Sequence, residues 1–200
     1  MRKRIRLLSI KGGVGKSILS LQIANYLKEL EIPFLIEELD PLETICVLTS
    51  CSGEYKIIKY FNINDFIYNK LKINEKKLQK EYLDNWQIAI SDTFTNISPE
   101  SEPLLFQNKI AERNLNVFLT DKFTINETVN YARKWNGPRV LIVNFSEENI
   151  VDELLDYVYN EGLFVKIFSI PIFDSYYDFQ NSEIVKNIIK ELLDILVRFT

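Results

Sequence analysis

The 200-residue chain has no histidine. That absence removes histidine-based nucleophilic triads, imidazole general bases and histidine metal ligands together. Cysteine is nearly absent too, with only Cys46 and Cys51. A lone C-x4-C pair offers too few ligands for a zinc or iron–sulfur site within one chain. It reads instead as a pair of reduced thiols. No apolar run approaches the ~20 residues that cross a bilayer. The first residues, Met1 to Gly13, open with basic side chains as a secretory leader does, but their apolar stretch is short and runs into a glycine-rich turn. The expectation is a cytoplasmic protein. There are no Pro/Ser-rich linkers, low-complexity tracts or visible repeats, so residues 1–200 read as one domain, long enough to bury a full core. Neither sign of charge dominates. The net charge of −4 argues against a protein that coats nucleic acid over its whole surface, although a local basic patch remains open.

Glycine is also scarce, yet Gly12, Gly13 and Gly15 fall together in Lys11-Gly12-Gly13-Val14-Gly15-Lys16-Ser17. This stretch follows an apolar run, Ile5 to Ile10, that predicts a buried strand. It precedes Ile18 to Leu30, whose apolar residues recur at helical spacing. A strand, a glycine turn and a helix N-terminus make a phosphate cradle. Glycine lets backbone N–H groups converge on a phosphate, and the helix end adds partial positive charge. In such a loop Lys16 reaches the terminal phosphates and the Ser17 hydroxyl can ligate Mg2+.

The pattern G-x-x-x-x-G-K-[ST] is not met, because Ile10 stands where its first glycine would be and Lys11 opens the loop. K-G-G-x-G-K-S resembles the deviant Walker A loop of the ParA/MinD group of P-loop ATPases. Phe34-Leu35-Ile36 predicts a second strand, so strand, loop, helix and strand form a right-handed βαβ unit. Glu37-Glu38-Leu39-Asp40-Pro41 follows it, where the family carries D-x-D-P; Glu38 replaces the first aspartate and Asp40 keeps the second. Trp86 to Thr93 predicts an apolar strand ending in Asp92, a Walker B pattern whose carboxylate holds Mg2+ through water. The family continues D-T-P-P or D-C-P-P, and Asp92-Thr93-Phe94-Thr95 lacks both prolines.

The remaining elements are read from pattern alone. Thr44 to Leu48 is β-prone, and Lys56 to Phe61 predicts a short strand or part of a hairpin. Asn64 can cap a helix running from Asp65 to about Leu83. Pro103 to Arg113 predicts a helix and Leu115 to Leu119 a strand. Thr124-x-x-Glu127 is a capping box that opens a helix to about Trp135. Gly137-Pro138 is a turn and Val140 to Val143 a strand. Glu147 to Asn160 predicts a helix, Leu163 to Ile170 a strand, and Ser182 to Phe199 a final helix. This alternation predicts an α/β fold: a mostly parallel β-sheet with helices on both faces, three layers α/β/α. The last helix has a broad apolar stripe without a basic excess, which favours packing on the sheet or a partner chain over a membrane surface.

The resemblance implies more than the pattern. It implies Mg2+-dependent ATP hydrolysis on a P-loop NTPase fold. ATP or ADP would be held by Gly12, Gly13, Val14, Gly15, Lys16, Ser17 and Ile18. Ser17 would hold the metal, with Asp92 and Asp40 acting through water, and Asp40 would also orient the attacking water. Asn144, at the end of the Leu141–Asn144 strand, and Pro171, in Ser169-Ile170-Pro171-Ile172, would flank the base. Lys11 would reach across a homodimer to the partner's nucleotide, so that Lys11, Lys16 and Asp40 form the catalytic set. The implied role is DNA partition with a ParB-like adaptor and non-specific DNA. The alternatives are a nucleotide-gated scaffold or filament subunit with weak hydrolysis, or a MinD-like membrane-associated positioning ATPase. Arg2-Lys3-Arg4-Arg6 reads either as a phosphate-contacting patch or as a solvated chain start.

Overall fold

A computed structural model describes residues 2–50, 53–61, 73–111, 113–147 and 149–199. Its centre is one all-parallel sheet. The strands are β1 (Lys3–Leu8), β2 (Phe34–Glu38), β3 (Ile57–Lys59), β4 (Ile88–Asp92), β5 (Arg113–Thr120), β6 (Arg139–Asn144) and β7 (Lys166–Ile170). They lie in the order β3-β2-β4-β1-β5-β6-β7, so β1 is central between β4 and β5. Parallel strands covered on both faces need apolar side chains on both. Ile5, Leu7, Leu8, Ile90, Leu115, Val117, Leu141 and Ile142 are accordingly buried.

Helix α1 (Lys16–Glu29) buries Leu19, Ile23, Ala24 and Leu27 on one face of the sheet. The C-terminal helix, Glu183–Arg198, joins it there through Val185, Ile188, Ile189, Leu192, Ile195 and Leu196. Its apolar stripe therefore packs on the sheet. The opposite face carries the helices Glu102–Ile110 and Ile125–Ala132 and a core of Leu104, Phe106, Phe118, Val129 and Trp135.

Several local expectations are overturned. Thr44–Leu48 is not a strand but a short helix, α2. The Glu38 carboxylate, at the end of β2, accepts hydrogen bonds from the Ile45 and Cys46 N–H groups at 2.5 and 3.2 Å. Satisfying these otherwise orphaned donors overrides the β propensity of the segment. Cys46 is disulfide-bonded rather than a reduced thiol. Of the two readings of Lys56 to Phe61, the short strand holds: Ile57–Lys59 pairs parallel with β2, and the hairpin does not form. Of the helix expected to Leu83, Asn74 caps a piece, α3, over Glu75–Glu81; Asn64 lies outside the described residues. Thr124 stands at the N-cap of the helix Ile125–Ala132, but its side chain makes no capping bond. Its hydroxyl bonds to Asp121 and Thr120 instead. The helix expected over Glu147–Asn160 is two single turns, Ile150–Glu153 and Asp156–Tyr159. The Leu163 and Phe164 N–H groups both bond the Tyr157 carbonyl, drawing the chain off the helical path.

Half of the basic cluster is not solvated. Side chains two apart on a strand share a face, and Arg4 and Arg6 both point into the protein, 0% and 3% exposed. Arg4 pairs with buried Glu37 through two bonds of 2.7 Å and donates to the Gln107 carbonyl at 2.7 Å. Gln107 donates to Glu37 and to Ser91 Oγ at 2.9 and 2.8 Å, and the Tyr82 hydroxyl also donates to Glu37. Removing one partner of such a pair leaves an uncompensated buried charge, costing about 3–5 kcal/mol.

Candidate nucleotide site

The loop from Ser9 to Gly15 joins β1 to α1. Gly13 has φ 76° and Gly15 φ 91°, both in the region that favours glycine. A Cβ on Gly12 or Gly13 would meet only open space, so no packing explains glycine there; the bare backbone faces a cleft. A Cβ on Gly15 would lie 2.7 Å from the Asn144 amide nitrogen. That amide donates to the Val14 carbonyl at 3.0 Å, while Asn144 Oδ1 accepts from the Phe145 N–H at 3.0 Å. Asn144 therefore braces the loop from the end of β6.

The cleft has a volume of about 640 Å3 and is lined by the loop glycines, Lys16, Ser17, Ile18, Asp40 and Pro41, with Leu42, Thr44, Leu48 and Thr93–Thr95 opposite. This size suits a small-molecule ligand. Ser17 Oγ donates to Asp92 Oδ2 at 2.6 Å, and Lys16 Nζ donates to Ser9 Oγ at 2.9 Å. A second pocket of about 210 Å3 adjoins it, lined by Gly15, Ile18, Asn144, Phe145 and Pro171 with Phe173, Tyr176 and Phe179. Its largely apolar wall lies where the sequence places base contacts.

Two buried carboxylate oxygens, Asp92 Oδ1 and Glu38 Oε2, have no hydrogen-bond partner among the described residues. Burial pushes the Asp92 carboxyl up to about 7, with the charges of Asp40 and Glu38 adding to the effect and Ser17 and Lys16 opposing it. Burial likewise raises Glu38 and lowers Lys16. Buried groups that resist ionisation beside a glycine loop mark a candidate site completed by a ligand. A hydrated divalent cation bearing phosphate oxygens fits this donor set, because it would satisfy the carboxylates and Ser17 while Lys16 and the loop amides take the phosphates.

Two expected residues have local partners. Asp40 is tied locally: Oδ1 accepts from the Leu42 N–H at 3.0 Å and Oδ2 from Thr44 Oγ1 at 2.9 Å. Lys11 is half exposed and pairs with Asp121, just beyond β5, at 2.6 Å; this bond holds the Asp121 carboxyl below its usual range. Sequence reasoning missed Asp121, Ser9 and the capping role of Glu38. Asp121 follows a strand end, as Asp92 closes one, and that was the available signal.

No family model and no curated protein matches the chain. Solved structures do. A Borrelia burgdorferi B31 protein described as a plasmid partition protein, bound to AMPPNP, matches with a TM-score of 0.69 at 14% identity, covering 99% of both chains. The ParA protein of pNOB8 bound to nonspecific DNA gives 0.61 at 14%, over 97% of this chain and 98% of its own. The septum site-determining protein MinD of Pyrococcus horikoshii OT3, complexed with Mg-ADP, gives 0.60 at 14%, over 99% and 98%. The chain has the ParA/MinD fold. In the ParA/MinD fold adopted here, the glycine loop, Asp92 and the end of β2 meet at the C-terminal edge of the sheet. Parallel α/β sheets bind ligands at that edge.

Proposed function

We propose that this chain is a ParA-type, nucleotide-dependent switch ATPase acting as one P-loop domain in the cytoplasm. The observation that carries the reading is the cluster beneath the loop: Ser17 bonded to Asp92, Asp92 Oδ1 buried without a partner among the described residues, and Lys16 alongside. Gly12 to Gly15, Lys16, Ser17 and Ile18 hold the phosphates of ATP or ADP. Ser17 and Asp92 hold Mg2+, Asp92 through water. When bound, the metal supplies charge neutralisation at the β- and γ-phosphates. Lys16 orients the γ-phosphate by its point charge, and Ser17 and Asp92 keep the phosphate tail in one register. Asn144 acts through the loop it braces, and Pro171 flanks the base with Ile18.

Lys11 is the dimer-forming residue of this reading. Its half-exposed ammonium reaches the partner's nucleotide once it leaves Asp121, whose side chain is 13% exposed. Exposed apolar side chains surround the same edge: Leu42, Leu48, Phe123, Phe145 and Ile172. A second copy covering them would enclose the nucleotide. Non-specific DNA and a ParB-like adaptor are the partners proposed, in keeping with the DNA-bound ParA neighbour. Asp40, the candidate water-orienting residue, has both oxygens engaged. This favours slow basal hydrolysis, with stimulation requiring α2 to shift and release it.

The test is nucleotide binding and turnover. The parent chain should bind AMPPNP with Mg2+, form dimers by light scattering and hydrolyse ATP. Lys16→Ala should lose binding, whereas Lys11→Ala should bind but stay monomeric. Tight AMPPNP binding without any turnover, with or without DNA, would refute the ATPase in favour of a nucleotide-gated scaffold.

A further inference from the structure

A second cleft opens between the helix Glu102–Ile110 and the 134–138 turn, beside the start of β5 and away from the glycine loop. Its volume is about 590 Å3, and Arg6, Arg113 and Lys134 line it with Asn108, Asn114 and Asn116. Arg6 is the unusual member. It is 3% exposed, yet among the described residues no carboxylate forms an ion pair with it. Its bonds go to amide oxygens and are long: Gln107 at 3.2 Å, Asn116 at 3.3 Å, Asn108 at 3.1 Å and Asn114 at 3.5 Å. The nearby carboxylate, Glu37, is fully engaged by Arg4, Gln107 and Tyr82. The buried layer thus holds two guanidinium groups against one carboxylate.

A buried cation is tolerated when paired, and charged hydrogen bonds are strongest and shortest to an oxyanion. Arg6 lacks both comforts. Burial, and after it the charge of Arg4, weigh against its protonated form. Arg113 and Lys134 add positive charge to the rim, against Glu100 as the acidic lining residue. The Trp135 ring centroid lies 5.9 Å from the Arg6 guanidinium carbon. The cleft is of ligand size.

We propose that this cleft is a binding site for a small oxyanion-bearing metabolite, whose phosphate or carboxylate is received by Arg6 with Arg113 and Lys134 at the rim. The asparagine side chains Asn108, Asn114 and Asn116 supply neutral hydrogen-bonding partners for the rest of the molecule. The site is separate from the nucleotide cleft and does not depend on the function proposed for it.

The experiment uses the full chain carrying Lys16→Ala, to silence the glycine loop, and Trp86→Phe, which leaves Trp135 as the fluorophore. Inorganic phosphate and succinate are titrated separately at constant ionic strength, with chloride as control. A saturable change in Trp135 emission is expected with one or both, and the preferred probe identifies the oxyanion. Arg6→Gln should weaken binding about tenfold to a hundredfold. Lys134→Ala should weaken it about two- to fivefold. Thermal melts with phosphate or succinate give the same comparison without the tryptophan change: the ligand-induced rise in Tm should vanish in Arg6→Gln. The proposal is overturned if neither anion gives a response beyond chloride, or if Arg6→Gln keeps the parent affinity. Should Arg6→Gln not fold, unchanged affinity in an Arg113→Ala/Lys134→Ala chain overturns it equally.

Discussion

The contact between Gly15 and Asn144 can be tested by a double-mutant cycle. Gly15→Ala adds a methyl at φ 91°, where a left-handed conformation costs about 1–2 kcal/mol. The new Cβ would also lie 2.7 Å from the Asn144 amide nitrogen, and its next neighbour is the Asn144 Cγ at 4.0 Å. Relieving that overlap adds about 1–3 kcal/mol, because the amide is held by Val14 and Phe145 and cannot simply turn away. Asn144→Ala alone removes both bonds and leaves the Val14 carbonyl short of a donor, costing about 1–3 kcal/mol. In the double variant the clash has no second atom, since both close contacts of the Cβ belong to Asn144. The pair should therefore fall short of the sum of the singles by about 1–3 kcal/mol, measured by urea unfolding at constant m. Additivity within ~0.5 kcal/mol would refute the claim that Asn144 braces the loop.

Further outcomes follow from the same geometry. In EDTA, the metal-free chain should lose stability as pH rises from about 4 to 7 through Asp92, because its folded pKa lies above the unfolded value and the folded state holds the proton longer. Asp92→Asn removes this dependence, so its advantage over the parent should be about 2–3 kcal/mol larger at pH 8 than at pH 5 in thermal melts; a difference that does not change with pH counts against the buried carboxyl. The same variant should lose Mg2+-dependent AMPPNP binding, measured by calorimetry. Glu37→Gln should destabilise the chain by about 3–5 kcal/mol in urea, since Arg4 is left buried without its charge partner. Lys11→Ala should leave monomer stability within ~1 kcal/mol, because its bond to Asp121 is exposed, while AMPPNP-dependent dimerisation is lost; persistence of the dimer would remove Lys11 from the interface.

The glycine loop was readable because it is local. Three glycines, two lysines and a serine between an apolar strand and a helix state their backbone needs within a few residues. Asp92 was readable for a similar reason, as an acid closing an apolar strand. The helix at Thr44–Leu48 was not, because its cap, Glu38, stands on the preceding strand and only the fold brings the two together. The burial of Arg4 and Arg6 was hidden more deeply. Their partners Glu37, Gln107 and Asn116 lie 33, 103 and 110 residues away, and nothing near the N-terminus announces them. Asp40 was legible in position but not in orientation, since its bonds to Leu42 and Thr44 depend on the turn that Pro41 begins.

The hidden polar layer bears on the readable site. Arg4 on β1 reaches Glu37 on β2, although β4 lies between those strands. Gln107 ties Glu37 to Ser91 on β4. Three strands are thus pinned to one another by buried polar bonds on one face of the sheet. A slip of one residue in any of them would turn its polar side chain to the opposite face, into an apolar core. The register so fixed sets Leu7 beside Asp92 and Asp92 beside Glu38. That row is the floor of the glycine loop. A buried ion pair adds little net stability over apolar packing, but here its geometry selects the one alignment in which Asp92 meets Ser17 and lies beside Glu38.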